Sequence, residues 1–383
     1  MRSLALVVST LLAGHALAQG AQIPSFTQEE IDSGYAIQEL GRIAYENAMA
    51  RAAEATSGCT KDKVRVRKEW RNMSLEDRKS YQEAVQCLMQ KPSRHQGLDG
   101  VRSAWDDYGA LHYYQTGYVH NSATFLFWHR HLNWVLEQDL QNLCGYTGTV
   151  PYWEWGLDCG GRGTVDTSPV FDGSEYSLGS NGAKEDGVRP PFGAQPGSGG
   201  GCLTSGPFSN FTVNMGPIGS RDPLAYNPRC FKRDLNTDIC SRWASIRNTT
   251  EAILDSPDIT IFQAILQGDT RWPEGRTVGM AVHGGGHFSI GGDPGGDFYF
   301  SALEPAFYLH HGNIDRIHFI WQNLDWENRQ TISGTNTMFN RPPTPDAVLT
   351  DNMGYEPLNR NVTIGQTMDT VGGTPLCYVY EPW

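Results

Sequence analysis

The stretch Phe125-Leu126-Phe127-Trp128-His129-Arg130-His131-Leu132 decides the fold. Laid on a helix, Phe125, His129, Leu132, Leu136 and Leu140 recur at three- and four-residue intervals and form one apolar face. His129 therefore points into the core with that stripe, whereas His131 points elsewhere. The pattern predicts a helix from about Ser122 to Leu143, ended by Cys144-Gly145, since glycine accepts the left-handed conformation that closes helices.

A second histidine-bearing helix follows the same logic. Pro305 suits a first helical turn, and Phe307, His311, Ile314, His318 and Trp321 share a face up to about Asn323. Asp315 lies one turn after His311 and is expected to accept that ring's second N–H, fixing its tautomer. His283 and His287 stand one turn apart, so both rings can meet one metal ion. Between them lie Gly284, Gly285 and Gly286, each costing about 1 kcal/mol of helix stability relative to alanine. Three in a row suggest bare backbone that leaves room beside the metal.

Beyond residue 18 the chain has ten histidines. Four cluster at His112, His120, His129 and His131, and five at His283, His287, His310, His311 and His318; His95 alone is isolated and reads as a surface residue. One core histidine is ordinarily a packing residue, but six on converging faces point to a two-metal site. His310 and His318 read as packing or supporting residues.

The rest of the chain supplies the frame. Residues 27–55 look helical, and Ser74 caps a helix through Tyr81, Ala84, Val85 and Leu88. Further helices are expected over 238–255 and 259–268. Between residues 156 and 230 Gly, Pro, Ser and Asp dominate, and Cys159, Cys202 and Cys230 fall there. Loops of that length need pinning, so this region reads as a disulfide-pinned excursion. The tail ends in the strand-like Cys377-Tyr378-Val379-Tyr380.

A chain of 383 residues with 39% hydrophobic content can bury one large core, and a net charge of −12 disfavours nucleic acid and anionic membrane as partners. Arg2, the apolar run Leu4–Leu12 and Ala16-Leu17-Ala18 read as a signal peptide over residues 1–18, leaving residues 19–383 as one secreted domain. Glycan sequons at Asn72, Asn210, Asn248 and Asn361 agree with export, as do eight cysteines, an even number that suggests disulfides.

Imidazole suits zinc, copper, iron or nickel. A zinc peptidase motif would need glutamate at position 284, and carboxylate-bridged di-iron sites need Glu-x-x-His pairs, which are absent around these helices. Six neutral ligands without a carboxylate fit two copper ions that pass electrons to dioxygen.

Three segments carry a family resemblance: His120 with Phe125 to Arg130 and Glu137; Glu304 to His311 with Asp315 and Arg316; and Val150-Pro151-Tyr152-Trp153-Glu154-Trp155. With the closing Tyr378-Val379-Tyr380 they resemble the tyrosinases and catechol oxidases, above all short secreted fungal polyphenol oxidases. The resemblance implies a mainly α fold, a four-helix bundle holding a dicopper centre, with long disulfide-pinned loops and minor β structure. It implies His112, His120 and His129 on the first copper and His283, His287 and His311 on the second. It also implies small phenolic substrates, dioxygen as co-substrate, and a monomer or weak oligomer.

Several departures matter. Glu304 stands for the usual Asp, Asn133 for an apolar residue, and no cysteine between His112 and His120 permits a thioether link. The chain ends at Trp383, just past the core-ending motif, so no C-terminal shielding domain or proteolytic activation is expected. Relatives that hydroxylate monophenols often carry Asn where Gly284 stands, so oxidation of o-diphenols to o-quinones is favoured over tyrosinase-type hydroxylation. Phe298 resembles the gate over the second copper, Phe288 a flank of the substrate ring, and Glu274 a water-holding acid. A dioxygen carrier would use the same histidines. A serine esterase is excluded, because His283-Gly284-Gly285-Gly286 has no Gly-x-Ser-x-Gly elbow to serve.

Overall fold

The computed structural model describes residues 23–95, 97–272 and 279–382. The expected signal peptide and Glu274 lie outside these. Ten α-helices dominate the described residues, and two of the three longest pack at the centre: α5 (Phe125–Cys144) against α10 (Pro305–Leu324). Every residue of α10 is buried, so this helix is the axis of the core. It also packs on α2 (Tyr35–Glu54) and α9 (Ala281–Ile290), while α3 (Leu75–Leu88) and α4 (Asp106–Val119) cover α5.

Local chemistry sets these boundaries. Ser74 accepts the Asp77 N–H and starts α3; Gly145, at φ 71°, closes α5. The helical region at 27–55 is two helices, because Gly34 adopts φ 81° and separates α1 (Gln28–Ser33) from α2. The region 238–255 also divides, into α6 (Thr237–Trp243) and α7 (Ile246–Leu254), with Ser245 capping the second. α8 (Ile259–Gln267) ends at Gly268 in the left-handed conformation.

The excursion at 156–230 is irregular and pinned as expected. Cys202–Cys230 closes it internally, and Cys159–Cys240 ties its start to α6. Cys87–Cys144 joins the ends of α3 and α5, and Cys59–Cys377 draws in the tail. There Tyr378–Tyr380 pairs in parallel with Arg65–Arg67, part of the minor β structure.

Buried ion pairs lock the motif segments around α10: Arg130–Asp315 at 2.5 Å, Arg316–Glu154 at 2.8 Å and Arg233–Glu304 at 2.6 Å. Glu304 also accepts the Ala306 N–H, so the longer acid caps α10 and holds Arg233 of the excursion. Asn133 donates to the Tyr308 carbonyl at 3.1 Å, which pairs its amide N–H in the core, while its Oδ1 is buried without a partner.

Asp315 does not hold His311. Its carboxylate takes Arg130 Nε at 2.5 Å, the hydroxyls of Tyr378 and Tyr380 at 2.5 and 2.6 Å, and Arg67 at 3.5 Å. Two cations and two hydroxyls from other parts of the chain outcompete a neutral ring one turn away, and His311 Nδ1 is left without a partner.

Candidate metal centre

Four helices deliver the histidines. His112 lies within α4 and His120 is its C-terminal cap; His129 projects from α5, His283 and His287 from α9, and His310 and His311 from α10. Two groups result, His112 with His120 and His129, and His283 with His287, His310 and His311. Within each group the ligand-capable atoms all lie within 4.8 Å of one another, and no carboxylate is among them.

The first trio is oriented by carbonyls. Nδ1–H donates to the Tyr299 carbonyl at 2.8 Å in His112, to that of Thr116 at 3.0 Å in His120, and to that of Phe125 at 2.8 Å in His129. A carbonyl only accepts, so each Nδ1 carries the proton and each Nε2 keeps its lone pair. Nε2 of His112 and His129 is buried without a partner. In the second group the Nε2 atoms converge: His283 to His287 at 3.0 Å, and His287 to His311 at 3.3 Å.

The two groups adjoin. His129 and His311 stack with centroids 4.2 Å apart and planes 7° from parallel. Phe125 and Phe307, both buried, each touch histidines of both groups and back the site with apolar surface. Burial drives the pKa of these rings down: His112 to about 4, His120 to about 3, and His129, His283, His287, His310 and His311 well below the ordinary value, with neighbouring histidines adding to the effect in most of them. Buried neutral imidazoles with lone pairs turned inward are the donor set that copper accepts.

A cleft of about 240 Å³ opens onto this floor. Gly284, Phe288 and Phe298 line it with His120, His283 and His287. Phe298 packs on His120 of the first group, with centroids 4.6 Å apart, and makes no ring contact with the second. Asp297 accepts the N–H groups of Ile218 and Tyr299, both at 2.8 Å, and so fixes the loop that carries Phe298.

Of the three glycines only Gly284 faces the cleft. A methyl group on Gly285 would lie 2.7 Å from Trp243, and one on Gly286 would lie 2.2 Å from His310, so these two admit neighbouring side chains and leave no room for substrate. Sequence reading passed over Met280 and Phe192, which also line the cleft. Met280 stands one turn before Gly284, a spacing that signals it; Phe192 sits in the irregular excursion, where no periodicity exists. His131 is buried against Trp134 and Tyr355, and His318 bonds Arg130, both away from the two groups. His95 is partly buried in its loop, also apart from them.

A family model described as the common central domain of tyrosinase matches residues 102–324. The chain belongs to the tyrosinase family. Among its relatives, Tyrosinase P of Aspergillus terreus is 36% identical over 341 residues, spanning 83% of this chain and 92% of that one. The N-acetyl-6-hydroxytryptophan oxidase of Emericella nidulans is 33% identical over 352 residues, covering 84% and 94%. In three dimensions, a variant polyphenol oxidase from Thermothelomyces thermophila superposes with TM-score 0.82 at 35% identity, over 93% of this chain and 99% of that one. This tyrosinase-family chain is thus a copper oxidoreductase of phenol-oxidising type, and its two histidine groups fit the dicopper centre of the family.

Proposed function

We propose that the chain is a secreted oxidase that converts o-diphenols to o-quinones, with one copper held by His112, His120 and His129 and the other by His283, His287 and His311. The observation that carries this reading is the pair of buried, adjoining histidine groups beneath an open cleft. Bound there, the copper pair supplies the route by which the two electrons of each oxidation reach dioxygen.

The chain's own residues bind and orient the phenol. Phe298 and Phe288 offer aromatic faces to a ring entering the cleft, and Gly284 leaves the backbone bare at its wall. Oxidation of an o-diphenol breaks only O–H bonds. Hydroxylation of a monophenol must also break a ring C–H bond and form a C–O bond, with its single phenolic proton removed first, and position 284 has no side-chain amide to hold a water for that proton. This absence favours diphenols.

Export is supported by four disulfides, which persist in oxidising compartments, and by the exposure of Asn72, Asn210 and Asn361 at three of the four sequons. Asn248, partly buried in α7, is a poorer glycan acceptor. Among the described residues no helix is long and apolar enough to cross a membrane.

The test is turnover by the copper-loaded chain on catechol, a matched monophenol and an o-methoxyphenol. The reading predicts fastest quinone formation from catechol. Reversible dioxygen binding without turnover would make the chain a carrier instead, and equal initial rates on the monophenol would defeat the diphenol preference.

A further inference from the structure

The second histidine group holds one ring more than a three-ligand site uses. His310 is wholly buried, and neither of its ring nitrogens has a hydrogen-bond partner. A buried polar atom without a partner costs about 1–3 kcal/mol, so an imidazole with two such atoms is expensive to keep in a core. Its space is made by α9. The bare Cα of Gly286 faces the ring, and a Cβ there would sit 2.2 Å from Nδ1 and 2.4 Å from Cε1. A helix interior that accepts a glycine to admit an unsatisfied ring gives up stability twice.

Orphaned nitrogens alone do not make a ligand. His131 is equally buried and unpartnered, but it stacks on Trp134, meets Tyr355 edge-on and belongs to neither histidine group. His310 differs in its position. A ligand-capable nitrogen of His310 lies within 4.8 Å of those of His283, His287 and His311, and its ring stands 4.2 Å from that of His287 and 4.8 Å from that of His311. An imidazole nitrogen sits about 2 Å from an ion such as zinc, so ligand atoms on opposite sides of one stand up to about 4 Å apart. A ring movement of about 1 Å brings His310 within that span.

We propose that His310 is a reserve ligand of the second copper, able to take the place of His311. The inference rests on the dicopper reading above. Three of the four rings suffice to hold the ion, and adjacency on α10 lets His310 approach it from a different side than His311, since successive helical residues diverge by about 100°. The consequence is a second copper that survives the loss of one of its usual ligands.

The experiment counts copper. Wild-type chain, His310→Gln, His311→Ala and the double variant are loaded anaerobically with Cu(I), desalted and analysed for copper per chain. The first copper, held by the untouched trio, reports that each variant is folded. The expected counts are two for the wild type, two for each single variant and one for the double variant. A count below two in His311→Ala overturns the proposal, as does a count of two in the double variant. A wild-type count below two fails the dicopper reading itself and takes this proposal with it.

Discussion

Asp315→Asn separates two roles that the carboxylate could have in this chain. The substitution keeps the shape and removes the charge shared by Arg130, Arg67, Tyr378 and Tyr380. Arg67 retains Glu137 at 3.4 Å, but Arg130 is left, fully buried, with only neutral partners: the carbonyls of Thr367 and Met368, Gln322 and His318. Removing one partner of a buried ion pair costs about 3–5 kcal/mol. With an unfolding entropy near 2.1 cal/mol/K per residue, a chain of 383 residues loses about 4–6 °C in Tm for that sum. Calorimetry at a fixed scan rate measures the shift, and elemental analysis of the same sample measures copper. Because Asp315 makes no bond to His311, copper content stays at the wild-type level. A variant with unchanged Tm that has lost a copper would refute the reasoning and return Asp315 to the role of orienting His311.

Three further outcomes are expected. His129→Ala loses one copper and catechol oxidation together; full activity would remove His129 from the centre. Gly284→Asn raises monophenol hydroxylation relative to diphenol oxidation, and an unchanged ratio of initial rates would discredit the proton-removal argument. Copper-free chain loses stability as the pH falls from about 6.5 toward 4. Burial holds His112 near 4 and His120 near 3, so over that range the unfolded chain binds protons that the folded chain refuses, and stability rises with pH. A Tm for copper-free chain that is flat or higher at pH 5 than at pH 7 would contradict this sign.

What the sequence made legible was periodic. α5 and α10 declare themselves by apolar residues at helical spacing, with Gly145 and Pro305 marking their ends, and the histidines on those faces arrive where the spacing aims them. α4 was not legible, although it carries His112: so many of its residues are buried, polar and apolar alike, that no stripe separates a core side from a wet side. The breaks at Gly34 and Ser245 were lost inside longer helical patterns. The fate of Asp315 was hidden for a different reason. Spacing names the neighbours along one helix, but Arg67, Arg130, Tyr378 and Tyr380 reach the carboxylate through the tertiary fold, and charge decides among the candidates. The glycine triplet leads to an expectation of room beside the metal; Gly284 lines the cleft, but Gly285 and Gly286 make room for Trp243 and His310 instead.

The most direct test is the copper-to-protein ratio of the wild-type chain after loading and removal of free metal. Two coppers per chain are predicted, both lost to a strong chelator along with diphenol oxidation. A chain that oxidises catechol at full rate with one copper, or with none, would contradict the account.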